Sequence, residues 1–205
     1  EPEPIPDGTI TIGEAQWQGD GTANVPVTSS EDSYAIQYQI NGTEEKGWKT
    51  VQDGIVAGVN HGDTVYARLT DGEQYSEIQN KKIEDTTAPV VTVTVQGSPT
   101  TNSITVTAQA VDNESGMVTS PKYTYYIKKS TEIESSYKTP SGAENITNAQ
   151  YTFTGLTQGT NYDIKVEVNG DKAGNKGTGT LTNQTTATVP GAGEGLETGN
   201  ITASP

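Results

Sequence analysis

The stretch LTQGTNYDIKV, residues 156–166, contains a tight corner followed by a strand. Tyr162, Ile164 and Val166 alternate with polar residues, which is typical of a strand with one buried face. The alternation places Tyr162 on the same face as Ile164 and Val166, so we expect this tyrosine on the buried face of the strand. We therefore interpret Tyr162 as a structural residue of a β-sandwich rather than as a catalytic one.

The composition favours many short strands joined by turns. The chain has 205 residues, enough for two ordinary domains, and only 30% of them are hydrophobic. With 12 Lys and Arg against 26 Asp and Glu, the net charge is −14, so we expect no nucleic-acid partner. The chain has no cysteine, which excludes disulfides and thiolate metal sites. No apolar run approaches the roughly 20 residues that span a bilayer, so we expect no membrane insertion.

Alternation with a period of two recurs along the whole chain, and turn signals separate the alternating runs. In the first half these runs are TANVPVT, YAIQYQIN and TVYARLT, and an Asp-Gly pair after the last predicts a hairpin. The sequence changes character at KKIEDTTAPVV, and we place a domain boundary near Asp85. The second half repeats the scheme in runs such as SITVTAQAV.

The predicted fold is all-β, with two tandem Greek-key β-sandwiches. Residues 1–7 are predicted to be a linker, 8–85 the first sandwich and 86–189 the second. Residues 190–205 are predicted to be a further linker and the start of a following module. Both proline- and glycine-punctuated ends indicate a piece of a longer protein.

The second half resembles a fibronectin type III domain over residues 86–189. The resemblance rests on Leu156, Gly159, Thr160 and Tyr162, which match the corner before the family's sixth strand. It implies that the tyrosine hydroxyl bonds the backbone just upstream. The family's tryptophan on the second strand is absent, so we expect three other aromatic residues to fill that core: Tyr125, Tyr151 and Phe153.

The first half resembles the bacterial immunoglobulin-like modules that accompany secreted hydrolases and adhesins. The matching strings are YQINGTEEKGWKTVQDG and NHGDTVYARLTDGEQYS, and DTTAPVV resembles a common start of tandem modules. These resemblances imply a string of sandwiches in an exported protein.

No catalytic constellation is recognisable in the sequence. The single histidine, His61, lies in the turn VNHGDT, and we interpret it as a solvated turn residue. The adjacent pair Glu44 and Glu45 is predicted to face solvent rather than a cleft. We expect the protein not to be an enzyme. Lys165 alternates opposite Ile164 and is predicted to face solvent, which argues against an isopeptide cross-link.

Calcium is the one cofactor that the sequence suggests. In a type III sandwich the loops after the second and sixth strands emerge at the end where the linker arrives. Here these segments are AVDNESGMV, VNGDKAGNKG and IEDTTAP. Their candidate ligands are Asp85, Asp112, Glu114 and Asp171, with Asn113 or Asn175 supplying amide carbonyl oxygens. The alternative is that these acids only cap tight turns.

Carbohydrate binding is a rival hypothesis. Trp48 and Tyr66 are its candidate residues, because flat aromatic rows bind sugars and Tyr66 lies on the face opposite Val65. The alternative is that the tryptophans fill the small core of the first sandwich.

The function that these observations favour is non-catalytic. We expect spacer and adhesion modules of a large exported bacterial surface protein, located outside the cell or at its surface. The expected partners are neighbouring domains of the same chain and a host or cell-surface glycan or protein. Two alternatives remain: a carbohydrate-binding or accessory region of a secreted polysaccharide-degrading enzyme, and a virion surface or tail-fibre module.

Overall fold

A computed structural model describes residues 4–6 and 9–189 of the chain. Residues 190–205, predicted to be a linker and the start of another module, lie outside the described residues, as does part of the predicted linker 1–7. The described strands of the first half are β1 (Ile10–Ile12), β2 (Gln16–Trp17), β3 (Thr22–Ser29), β4 (Ala35–Ile40), β5 (Lys49–Thr50), β6 (Ile55–Asn60), β7 (Thr64–Thr70) and β8 (Gln79–Lys82). Those of the second half are β9 (Val90–Val95), β10 (Ser103–Val111), β11 (Tyr123–Lys129), β12 (Gln150–Thr154), β13 (Asn161–Val168) and β14 (Gly177–Thr185).

Helix is limited, in the described part of the chain, to a single 3-10 turn at Glu134–Ser136. None of the described helical structure is long and apolar enough to cross a membrane.

Two antiparallel sheets form the first sandwich. In one sheet β3 pairs with β1 and β2 along one edge and with β6 along the other; the second sheet has the order β5-β4-β7-β8. The alternating residues Val25 and Val27 on β3 and Val65 and Ala67 on β7 are fully buried between them. The first core is therefore the double layer that the period-two pattern predicts.

The second sandwich has the sheet orders β12-β10-β9 and β11-β13-β14. Strand β12 returns to pair with β10, while β11 pairs with β13 in the facing sheet, so consecutive strands change sheet as in a Greek key. The predicted fold class, all-β with two tandem sandwiches, is confirmed. The segment that connects β11 to β12 lacks apolar alternation and forms no regular strand. It pairs with β11 only through isolated bridges, Lys138 with Ile127 and Ile146 with Tyr123.

Aromatic residues fill the second core where the type III family has its tryptophan. Tyr125 and Phe153 are buried, and Tyr151 stacks on Tyr125 with ring centroids 5.2 Å apart. Phe153 meets Tyr151 edge-on at 5.0 Å. The small residues Ala108 and Ala110 on β10 leave room for these rings, which explains how the core remains filled.

Strands β9 and β14 approach closely at the side of the second sandwich. A β-carbon added at the buried Gly179 would lie 2.5 Å from the carbonyl oxygen of Val91. This strand crossing therefore requires glycine for reasons of space.

The corner at residues 156–162 is built around Tyr162, whose ring is buried. Its hydroxyl accepts a hydrogen bond from the backbone N–H of Thr157 at 2.9 Å. Gly159 adopts a φ of +60°, and the Thr160 N–H donates to the Thr186 hydroxyl at 3.1 Å. Leu156 packs against the core, so all four corner residues contribute to one turn before β13.

A buried ion pair, absent from our sequence predictions, joins β11 to β13. The Nζ of Lys128 lies 2.7 Å from Oδ2 of Asp163, and the two side chains are 6% and 12% exposed. The other oxygen, Oδ1, accepts the Ser130 hydroxyl at 2.6 Å and the Asn183 N–H at 2.9 Å. Burial opposes ionisation of Asp163, but these donors outweigh it and lower its pKa to about 2.

Lys165, predicted to face solvent, has a side chain only 22% exposed, and its Nζ lies 3.2 Å from Oε1 of Glu167.

Replacing Tyr162 with Phe tests the corner. We expect Tyr162→Phe to lower the free energy of unfolding of the second sandwich by about 1–2 kcal/mol, because the Thr157 N–H loses its acceptor. Urea unfolding followed by circular dichroism measures it, and tryptophan fluorescence reports on the first sandwich, which holds Trp17 and Trp48. Tyr151→Phe is the control, since that hydroxyl makes only a 3.5 Å contact. Equal effects of the two variants would contradict a special role for the Tyr162 hydroxyl.

Acid should weaken the second sandwich through Asp163. Its folded pKa of about 2 lies below the ordinary value of 3.8, so the unfolded chain binds a proton first as the pH falls. The resulting stabilisation, about 2 kcal/mol, is complete above about pH 5 and is lost progressively as the pH falls toward about 1. The free energy of unfolding, measured across this pH range, should fall as the pH decreases. The Asp163→Asn variant should have a lower free energy of unfolding at neutral pH, and its value should not show this decrease. An unchanged acid profile in the variant would contradict the assignment.

Candidate metal site at the junction of the two sandwiches

The linker between the sandwiches is short and largely anchored. Strand β8 ends at Lys82 and β9 begins at Val90. Within this segment Ile83 is buried in the first core, and Asp85 is only 3% exposed. An aspartate so deeply buried needs hydrogen-bond donors, and these come from the linker, at Thr87, and from the second sandwich, at Ser115.

Asp85 connects the first sandwich to the second. Its backbone N–H donates to Nδ1 of His61 at 2.9 Å. Its Oδ2 accepts the Ser115 N–H at 3.1 Å, and its carbonyl oxygen accepts the Asn175 side-chain amide at 3.2 Å. The interpretation of His61 as a solvated turn residue was therefore wrong: the ring is half-buried and holds the linker backbone.

Two loops of the second sandwich, residues 112–117 and 169–176, complete the site. Oδ2 of Asp112 accepts the N–H groups of Glu114 and Gly116, at 3.1 and 2.6 Å. Oδ1 of Asp171 accepts the Asn175 N–H at 2.8 Å. The two loops are joined by a hydrogen bond of 2.8 Å from the Lys172 N–H to the Gly116 carbonyl. Turn capping, the alternative that the sequence left open, thus occurs in both loops.

The structure brings three of the four predicted ligands together. One carboxylate oxygen each from Asp85, Asp112 and Asp171 lies within 4.8 Å of the other two. Asp85 and Asp171 are buried, whereas Asp112 is half-buried. Capping uses part of each carboxylate, and the remaining lone pairs are available to a ligand shared among the three.

Glu114 lies beside this group rather than in it. Its Oε1 accepts the Thr87 hydroxyl at 2.8 Å. Burial, followed by contact with Asp85, raises the pKa of Glu114, and the charge of Asp112 adds to this effect. Asp85 behaves in the opposite way: burial opposes its ionisation, but donors from Ser115 and Thr87 hold its pKa below the ordinary value. Burial and the neighbouring Asp85 thus favour the protonated form of Glu114.

The two predicted asparagines differ in position. Asn113 is exposed, and among the described contacts its side chain makes none with the site. Asn175 is half-buried, and its Nδ2 donates to Oδ2 of Asp171 at 2.9 Å as well as to Asp85. In this orientation the amide offers nitrogen, not oxygen, to the carboxylates.

Ser115 is the residue that sequence reasoning missed. It is 2% exposed, and its Oγ is buried without a geometrically satisfactory hydrogen-bond partner among the described residues. It lies near enough to the Asp85 carboxylate to help lower the pKa of that group. Because serine beside glycine is typical of any turn, only burial distinguishes this hydroxyl, and the sequence does not show burial.

The predicted carbohydrate-binding residues lie on the outer face of sheet β5-β4-β7-β8. The guanidinium of Arg68 lies 4.1 Å from the ring centre of Trp48 and 3.6 Å from that of Tyr75. Arg68 thus covers one face of each ring. Tyr66 is half-buried two residues away on the same face of β7, opposite Gln39 and Asn80. Trp48 therefore forms a cation–π contact with Arg68. It does not fill the apolar core of the first sandwich, which was the alternative interpretation.

Comparison with known proteins gives structural neighbours only. No family model matches the chain, and no curated protein matches it. Among solved structures, a two-domain fibronectin type III segment of chicken tenascin is similar with a TM-score of 0.48 at 14% identity, covering 84% of this chain and 97% of that one.

Two three-domain structures are similar at lower scores. The FN1–FN3 domains of chicken CNTN1 give a TM-score of 0.34 at 13% identity, covering 89% of this chain and 68% of that one. Domains A168–A170 of titin give 0.35 at 14% identity, covering 84% and 60%. The fold is defined by the strand order given above.

Proposed function

We propose that this chain is a non-catalytic spacer region of an exported bacterial surface protein, in which two sandwiches hold neighbouring domains apart. The observation that supports the proposal is the anchored linker. Asp85 is bonded to His61 of the first sandwich and to Ser115 and Asn175 of the second. A linker held from both sides limits rotation between the units, as a spacer requires.

A direct contact between the sandwiches supports the same proposal. Gly21, in the turn before β3, is buried, and a β-carbon there would lie 3.1 Å from the carbonyl oxygen of Ser115 and 3.2 Å from Nζ of Lys172. Gly19 in the same turn is exposed and has nothing within 4 Å of such a carbon. The first sandwich therefore abuts a loop of the second in addition to the linker.

The setting that we propose is extracellular, at the cell surface. A net charge of −14 and the absence of cysteine suit a soluble surface region that resists non-specific attachment. The partners in this proposal are adjoining domains of the same protein and, where the region also adheres, a surface glycan or protein. A virion surface or tail-fibre module would use the same rigid spacing.

Substitution at the turn before β3 tests the rigid joint. In the full chain with millimolar calcium, we expect residual dipolar couplings of both sandwiches to fit one alignment tensor. Gly21→Ala should separate the two tensors, because the added methyl group displaces the Ser115 loop. Gly19→Ala is the matched control. Gly19 has a φ of +81°, close to the +90° of Gly21, so alanine should cause similar backbone strain at both positions. A methyl group at Gly19, however, would not contact the second sandwich. Independent tensors in the unmodified chain would overturn the spacer proposal.

Carbohydrate binding is the second candidate function, favoured by one observation: Tyr75 is 53% exposed beside Trp48 and Arg68. Under the spacer proposal this stack is structural, so Trp48→Ala should lower the stability of the first sandwich by about 1 kcal/mol or more, through lost cation–π contact and burial. A glycan array should show no signal that depends on Trp48. A glycan signal that disappears in Trp48→Ala while Tyr66→Phe retains it would favour the carbohydrate-binding function instead.

A further inference from the structure

We propose that Asp85, Asp112 and Asp171 bind a divalent cation, with calcium as the preferred ion, and that this ion locks the linker to the two loops. The three carboxylates come from three separate segments of the chain. Their convergence within 4.8 Å is thus a product of the tertiary fold, not of one acidic loop.

The buried hydroxyl of Ser115 points independently to a ligand. An unpaired hydroxyl inside a protein is costly, and such groups normally find a protein or water partner. Ser115 is 2% exposed, its Oγ has no satisfactory partner in the described residues, and its neighbour is the Asp85 carboxylate. A cation held by Asp85 would accept this oxygen as a further ligand.

The charge balance leads to the same conclusion. Ion pairs within the described residues involve Lys81, Lys82, Lys128 and Lys165, and none of these partners is a junction carboxylate. Lys172, the nearest lysine in sequence, instead places its ammonium beside Gly21 and Gly116. Buried carboxylates are normally paired or bound to metal, so the lack of an ion pair at the buried Asp85 and Asp171 is unusual.

The donor set fits calcium. All donors are oxygens, and calcium takes 6–8 oxygen ligands at about 2.3–2.6 Å in flexible geometry. Three carboxylates and the Ser115 hydroxyl provide the first four positions or more, depending on how many carboxylates bind through both oxygens. Rotation of the Asn175 amide by a half-turn would exchange its nitrogen for oxygen and add another ligand. Glu114, next to Asp85, can complete the shell directly or through water.

Binding has a mechanical consequence that rests on the proposed spacer function. Asp85 belongs to the linker, whereas Asp112 and Asp171 belong to the loops after β10 and β13. An ion shared by the three would cross-link the linker to both loops and remove the repulsion among them. The joint should then be stiffer with calcium than without it.

Isothermal titration of the full chain with calcium chloride, after treatment with chelator, tests the site. We expect one equivalent to bind, and the melting temperature to rise by about 5–10 °C at a calcium concentration about one hundred times the dissociation constant. Asp171→Asn should weaken binding by at least about tenfold, because it removes a charged ligand. Ser115→Ala should weaken it about threefold to tenfold while the protein stays folded in chelator, since that hydroxyl makes no hydrogen bond of good geometry in the folded chain. Asp20→Asn, an exposed turn acid of the first sandwich, should bind calcium as the unmodified chain does.

The outcomes separate this proposal from the spacer function. If neither titration nor melting temperature responds to millimolar calcium, the cation site is overturned, whatever the alignment tensors show. If calcium binds and Asp171→Asn binds equally well, the site lies elsewhere and the assignment is also overturned. Should Asp171→Asn fail to fold, Ser115→Ala and the unmodified chain still decide the matter. Calcium binding together with independent tensors would support the site and remove the spacer function.

Discussion

The burial of Asp85 at the junction is the constraint on which the arrangement of the two sandwiches depends. A carboxylate that is 3% exposed must be given donors, and these come from the linker itself and from the second sandwich, at Thr87 and Ser115. Because the same residue's N–H is held by His61, satisfying the charge also determines where the first sandwich sits. A linker of neutral exposed residues would impose no such coupling, and the sandwiches would then be tethered rather than docked.

Each sandwich nevertheless has its own hydrophobic core. The two cores share no residue: one consists mainly of valines from β3, β6 and β7, the other of aromatic and aliphatic residues from β9–β14. At the junction His61 accepts the linker N–H of Asp85, and the neighbouring acids Asp112 and Asp171 accept backbone hydrogen bonds. The junction is therefore rich in oxygen atoms that backbone hydrogen bonds hold in place, as the proposed spacer requires.

Period-two alternation predicted most of the fold, because side chains that face the core along a strand obey it directly. Val25, Val27, Ile104 and Val106 are all fully buried as their patterns indicate. The same pattern was misleading on outer faces, where loops cover residues that alternation assigns to solvent. Lys128 alternates opposite Ile127, yet its ammonium donates to the Glu132 carbonyl and lies under the Tyr137 ring, in a segment without alternation.

The junction shows the same limit. The loops that meet there followed from the sandwich topology, so Asp85, Asp112 and Asp171 could be named as a group beforehand. The engagement of His61 and the enclosure of Ser115 could not, because they depend on how two separately folded units dock. No local pattern records that geometry.

The chain buries carboxylates in two ways, and the contrast between them is informative. Asp163 receives a lysine ammonium, a hydroxyl and a backbone N–H, so its charge is neutralised and its donors are complete. At the junction Asp85 and Asp171 are equally buried but receive only neutral donors, and both lie close to further acids. A neutral hydrogen bond stabilises a carboxylate without cancelling its charge, so Asp85 and Asp171 keep their negative charges inside the protein. For Asp163 a lysine compensates such a charge; for the junction carboxylates no ion pair is found among the described residues, and the proposed cation would supply the compensation.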